Sequence, residues 1–170
     1  MTASADFLPT ETVPVVRLNP ETHQRELVQL RWGLIPSWAK HPSISSRLIY
    51  ARAETVATKR SFQDAFRQRR CLVVVDSFRL GRRTIQMNDG RPFGMGGLWE
   101  RWQGDQEIES CAVITTTTNE LVEPFNERMP VIIAEEDYAH WLDPEFFDAE
   151  ELERMMQPFP SEDMVVSSTR

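Results

Sequence analysis

The sequence predicts an α+β domain that is mainly β, with a barrel-like or sandwich sheet and a few peripheral helices. Three observations lead there. Apolar segments of strand length recur along the whole chain, clusters of Gly, Pro, Asn and Asp separate them, and only three stretches carry helical spacing.

Taken in order, residues 13–18 (VPVVRL) and 26–32 (ELVQLRW) read as two strands. Asn19-Pro20-Glu21-Thr22 supplies turn chemistry between them, so a hairpin is expected. Residues 32–38 (WGLIPSW) follow as an irregular aromatic loop, because Gly33 and Pro36 interrupt both periodicities. Between 53 and 66 the apolar residues fall at 53, 56, 57, 62, 65 and 66, which is helical spacing; Lys59, Arg60 and Arg67 take polar positions. Residues 71–75 (CLVVV) form a continuous apolar run of the kind found in buried strands. Residues 84–87 and 93–99 read as a strand pair joined by a turn at Asn88-Asp89-Gly90. Residues 109–116 and 131–133 are further strands. Residues 135–141 and 149–156 are short helices whose acidic starts suit the helix dipole.

Length and composition fit one domain spanning 1–170: 170 residues, 41% hydrophobic, with no repeat or Gly/Ser linker. No apolar run nears the ~20 residues that span a bilayer, and the first residues lack the pattern of a secretory signal. Cys71 and Cys111 sit inside apolar runs and read as buried free thiols; His23, His41 and His140 share no ligand spacing. The expectation is a cytoplasmic protein with no metal and no cofactor. The net charge of −7 is unevenly spread: residues 38–103 carry +8, residues 104–170 carry −14 and residues 1–37 carry −1. A basic segment inside an acidic protein can form a phosphate-binding face, or merely a solvated surface balanced by an acidic one.

Three segments carry residue types with chemical potential. In WGLIPSW, two indoles on a Gly/Pro loop near basic residues make a stacking platform for unpaired bases, or else a loop plugged by its own tryptophans. In Ala51-Arg52-Ala53-Glu54-Thr55, a carboxylate two residues after an arginine can fix the guanidinium for bidentate phosphate binding, or can form a plain surface pair. Asn126-Glu127-Arg128-Met129-Pro130 places another arginine in a loop that a following strand can hold. None of the three identifies a function alone.

In this order, WGLIPSW, ARAET, SFQDAFRQRRCLVVVDSF, DGRPFGMGGLWERW, TTTTNELVEPFNERMPVII, DYAHWL and the closing VSSTR resemble the SRAP (SOS-response-associated peptidase) family of abasic-site-processing proteins over almost the whole chain. The resemblance implies a compact, mainly β, barrel-like fold with a positive cleft for single-stranded DNA. It also implies a cysteine directly after the initiator Met. There the α-amine and thiol condense with the aldehyde of a ring-opened abasic site to a thiazolidine, and the same cysteine is linked to a proposed autopeptidase activity. An Asn before the Ala-Arg pair, a Glu in an F-x-E-W loop and a His opening H-x-R-M-P assist.

This chain departs from that pattern at each chemical position. Thr2, Tyr50, Leu80 and Asn126 stand where the resemblance calls for Cys, Asn, Glu and His, and the opening catalytic segment is expected to be missing or to lie upstream of Met1. Asn126 cannot exchange a proton near neutral pH, whereas Tyr50 keeps a polar handle and adds a flat ring. The DNA-contacting candidates remain: Trp38, Tyr50, Arg52, Glu54, Asn126 and Arg128, with Arg79, Arg82 and Arg83 added nearby. The expectation is therefore a nucleoid-associated binder of single-stranded or abasic DNA in the DNA-damage (SOS) response, without crosslinking chemistry. An active crosslinking enzyme with a different N-terminus and a protein-interaction module are the alternatives.

Overall fold

A computed structural model of the chain describes residues 8–168 in full and residues 3–5 by their backbone. Thr2 lies outside the described residues. In chain order the strands are β1 (Ala3–Ala5), β2 (Thr12–Leu18), β3 (Arg25–Trp32), β4 (Tyr50–Arg52), β5 (Arg70–Leu80), β6 (Arg83–Met87), β7 (Phe93–Gln103), β8 (Glu107–Thr116), β9 (Met129–Pro130), β10 (Ile132–Ile133) and β11 (Met164–Ser168). The helices are α1 (Gln63–Gln68), α2 (Tyr138–Leu142) and α3 (Ala149–Met155).

Five strands close on themselves. β3 pairs with β2, β2 with β5, β5 with β7 and β7 with β8, all antiparallel, and a parallel pairing of β8 with β3 at Trp32–Cys111 completes the ring. This resolves the open choice between barrel and sandwich, and closure leaves the five strands no free edge between them. The period-two alternation of the sequence divides their side chains. Val13, Val15, Leu30, Trp32, Cys71, Val73, Val75, Met95, Cys111 and Val113 share one buried cluster. Leu72, Leu98, Ala112 and Ile114 belong to a second, where Phe62, Phe66, Trp141 and Leu152 cover the barrel wall. At the end of the barrel near Leu18, Arg17 packs 4.2 Å over Trp99 and pairs with Glu26 and Glu109.

The first hairpin forms as read, with Asn19 Oδ1 accepting from the backbone N–H groups of Glu21 and Thr22 at 2.8 and 3.0 Å. Other expectations need correction. The helix read over 53–66 is a succession of turns, and only Gln63–Gln68 is regular α-helix. Val56 N–H and Thr55 N–H both donate to Arg52 O, and Thr58 and Lys59 both to Thr55 O, so the chain mixes tight and α-helical bonds. The β-branched Thr55, Val56 and Thr58 resist a helix interior, and Thr58 Oγ1 turns back onto Thr55 O. Of the six apolar positions read there, Val56, Phe62, Ala65 and Phe66 are buried, Ala53 is half-buried and Ala57 is exposed.

The strands near 84–87 and 93–99 do not pair with each other. β5 is eleven residues long, twice its expected span, and takes both: Arg70–Val75 runs against β7, and Phe78–Leu80 against β6. Arg79 and Leu80 are thus strand residues rather than loop, and Gly81, at φ +63°, lets a two-residue hairpin turn tightly into Arg83. The strand read at 131–133 divides at Val131, β9 going to β8 and β10 to β7. The short strands β1, β4 and β11 carried no alternation long enough to read.

Candidate functional site

β4 lies parallel to β8, with Tyr50 opposite Val113 and Arg52 opposite Thr115. A strand sends alternate side chains to opposite faces, so Ala51 is wholly buried while Tyr50 and Arg52 stand together on the other side. That side is one wall of a cleft of about 360 Å³ at the mouth of the barrel. Trp32 from β3, Met95 from β7, Phe78, Arg79 and Leu80 from β5, and the 126–130 segment complete it.

Of the residues named from sequence, Tyr50, Arg52, Leu80, Asn126 and Arg128 all line this cleft. Glu54 joins through Arg128. The expected Arg52–Glu54 fork is not formed; the carboxylate reaches across to Arg128, which donates from Nη1 to Oε2 and from Nη2 to Oε1 at 2.8 Å. Nη2 of Arg128 also donates to Thr115 O at 2.9 Å and to its hydroxyl at 3.2 Å, whereas Nε is buried without a partner. These bonds from Arg128 hold the Glu54 carboxyl at about 2, below its ordinary 4.5, and the charge of Arg52 adds to the effect. The Arg52 guanidinium itself makes no hydrogen bond among the described residues and is exposed.

Asn126 donates from Nδ2 to Arg128 O at 2.5 Å, so its amide fixes the loop backbone and leaves Oδ1 as an acceptor. Tyr50 meets Trp32 edge to face, with ring centroids 5.6 Å apart and an interplanar angle of 74°. Trp32 is anchored through Nε1 to Ile49 O at 3.0 Å. Burial of the Tyr50 phenol pushes its pKa up, so it stays neutral at physiological pH.

Trp38 is not on the cleft lining. It is 44% exposed and carries the Arg60 guanidinium 4.2 Å over its ring. The two indoles of WGLIPSW therefore separate, one walling the cleft and one standing outside it. Arg83 lies behind the hairpin, bonded to Ser168 Oγ at 3.0 Å and over the Phe125 ring. Sequence reading missed Phe78, Met95, Thr115 and Met129: Met95 and Thr115 lay in strands that were read, but which barrel end they faced was not visible, and Phe78 and Met129 lay outside the strands read.

The described lining carries the Arg52, Arg79 and Arg128 guanidinium groups, the neutral phenol of Tyr50 and an apolar floor, and no thiol, imidazole or carboxylate is among its described residues. The two thiols sit in the barrel interior instead. Burial pushes Cys111 up to about 12 and Cys71 up as well, leaving neither a thiolate near neutral pH.

Comparison with known proteins gives a consistent result. The model of the family described as SOS response associated peptidase (SRAP) matches residues 1–169. The chain is 36% identical over 172 residues to the abasic site processing protein YoqW of Bacillus subtilis, covering 95% of this chain and 76% of that protein. It is 35% identical to the abasic site processing protein YobE of the same organism, covering 95% and 78%. A crystal structure of a protein from Bacteroides thetaiotaomicron superposes with a TM-score of 0.84 at 27% identity, covering 95% of this chain and 75% of that one.

Proposed function

The chain belongs to the SRAP family, and on that premise we propose that it binds single-stranded and abasic DNA at the barrel-mouth cleft without forming a covalent crosslink. The observation that carries this reading is the pairing of opposites at β4. Arg52 offers a guanidinium with no hydrogen bond among the described residues beside the flat, neutral ring of Tyr50, and the described lining holds no thiol or amine. A cation beside an aromatic face is what a flexible nucleic-acid strand needs, one for its phosphates and one for its bases. Crosslinking needs a nucleophile and proton-transfer groups, and Tyr50, Leu80 and Asn126 provide none near neutral pH. Residues 1–170 act in this reading as one domain, since the two apolar clusters are the two faces of the same β5, β7 and β8 strands. A place in the DNA-damage response and association with the nucleoid follow from the same premise.

The test is a gel-shift titration with a single-stranded oligonucleotide, comparing the parent with Arg52→Ala and Arg128→Ala. Binding by the parent that weakens with salt, and weakens further in Arg52→Ala, is the expected result; equal affinity in all three with no salt dependence contradicts it. An abasic oligonucleotide in the same series separates binding from chemistry. A heat-stable adduct would establish the crosslinking enzyme instead.

A further inference from the structure

We propose that the cleft is a pocket for an unstacked nucleobase and favours a strand that carries a base at this position over one that lacks it. The inference rests on the DNA-binding reading and specifies what that site takes. Its first support is shape. At about 360 Å³ the cleft lies at the small end of the range for ligand pockets, roughly 300–1,000 Å³, and suits one ring system with its sugar rather than a stack.

The second support is the lining. The Tyr50 ring, 49% exposed, stands at 74° to the buried Trp32, so a flat ring lying along Tyr50 turns its edge toward Trp32, and both contacts are favoured arrangements. Phe78, Met95 and Met129 make an apolar floor, and thioethers adapt to aromatic partners. Leu80 closes the side with an isobutyl group. A bare deoxyribose has no flat ring to lie on the half-exposed Tyr50 and forgoes that stack, which a base makes.

The third support is where the polar groups lie. Asn126 has its amide nitrogen bound to Arg128 O, so its Oδ1 is the atom it can offer to the exocyclic amine of a base. Arg52 is on the same strand as Tyr50, two residues on, where a phosphate next to a base stacked on Tyr50 comes within its reach. Arg128 is already neutralised by Glu54 and bonded to Thr115, and so serves as a wall of the pocket.

Two oligonucleotides of equal charge test this: a strand made wholly of tetrahydrofuran abasic units, and the same strand with one central 2-aminopurine. Fluorescence anisotropy with the full chain is expected to show the single base tightening binding roughly 5- to 140-fold, the span of one base–aromatic stack. The 2-aminopurine emission should fall on binding. Tyr50→Ala should collapse the preference, and Tyr50→Phe, which keeps the ring, should retain it. Equal affinity for both strands, with unquenched emission, overturns the pocket while leaving DNA binding intact. Absence of binding to both these strands and to an ordinary single-stranded oligonucleotide overturns the DNA-binding reading, and the pocket with it.

Discussion

Replacing Glu54 with Gln isolates the negative charge of the Glu54–Arg128 pair while keeping its shape. Arg128 stays tethered, because Nη2 also donates to Thr115 O at 2.9 Å and to Thr115 Oγ1 at 3.2 Å. The carboxyl is held at about 2 against an ordinary 4.5. Taken unscreened, that depression corresponds to roughly 3 kcal/mol. The Glu54 side chain is 47% exposed, however, and solvent screening reduces the contribution to about 1 kcal/mol. Since the folded pKa lies below the unfolded one, this stabilisation is present above about pH 4.5 and disappears as pH falls toward 2. Glu54→Gln should therefore melt about 2–4 °C lower at neutral pH, and the two proteins should converge in acid. DNA binding should move the other way. Removing the carboxylate leaves a cation uncompensated beside Arg52, and one added phosphate contact steepens the log–log salt dependence by about 0.7. Between 50 and 200 mM salt, that contact changes affinity by about 2.6-fold. Thermal melts across pH and anisotropy titrations across salt measure both. A variant that binds more weakly with a shallower slope would refute the reasoning, since it would mean that the carboxylate aims Arg128 at a phosphate.

Arg17→Met removes the buried cation between Glu26 and Glu109 near Leu18, leaving Glu26 only Asn19 and Glu109 only the more distant Arg101; a loss of about 3 kcal/mol in urea melts is expected, and a loss below about 1 kcal/mol would contradict it. With Cys111 held up at about 12, roughly one thiol in ten thousand is ionised near pH 8, so a disulfide reagent should label neither cysteine until denaturant is added. Stoichiometric labelling of the native protein would show that the barrel interior opens. Gly97→Ala puts a methyl 2.8 Å from Ala112 O and 3.3 Å from Cys71 Sγ, where β5, β7 and β8 meet; it should cost about 1–3 kcal/mol, and an unchanged melting temperature would deny the tight packing there.

What could be read from the sequence followed the range of each signal. Cys71-Leu72-Val73-Val74-Val75 announced a buried strand because its apolar run is local, yet its true extent to Leu80 was hidden: Asp76, Ser77 and Arg79 break the run where the strand leaves the barrel to pair with β6. The Asn88-Asp89-Gly90 turn was real, with Gly90 N–H bonded to Met87 O, but a turn does not state which strands it joins. Register with β5 decided that, and register is non-local. The site shows the same division. Tyr50 and Arg52 share one face of β4, yet three residues hold too little alternation to show it, and Glu54 was assigned to its sequence neighbour Arg52 when its partner lay 74 residues away. Resemblance supplied the common address of Tyr50, Leu80, Asn126 and Arg128; spacing alone did not.

Of the arginines lining the cleft, Arg52 and Arg128 differ in what the fold asks of them. Arg128 ties the loop ahead of β9 to the turn after β4 and to the end of β8, through Glu54 and Thr115. A residue with that many internal bonds is required by the fold whether or not DNA ever arrives, because losing it would leave Glu54 unpaired and untie the 126–130 loop from Thr115, whose carbonyl keeps the Ala53 N–H. Its presence in the cleft therefore does not by itself argue for binding. Arg52 is different. Its guanidinium makes no hydrogen bond among the described residues, and its charge opposes nothing except the already paired Glu54. Folding has little use for such a group, so Arg52→Ala should leave the unfolding free energy within about 0.5 kcal/mol of the parent, as for an ordinary surface substitution. If that variant folds normally and loses affinity for single-stranded DNA, the cation serves the ligand. If it loses stability in proportion to affinity, the cleft's charge belongs to the scaffold, and the binding role must be sought elsewhere.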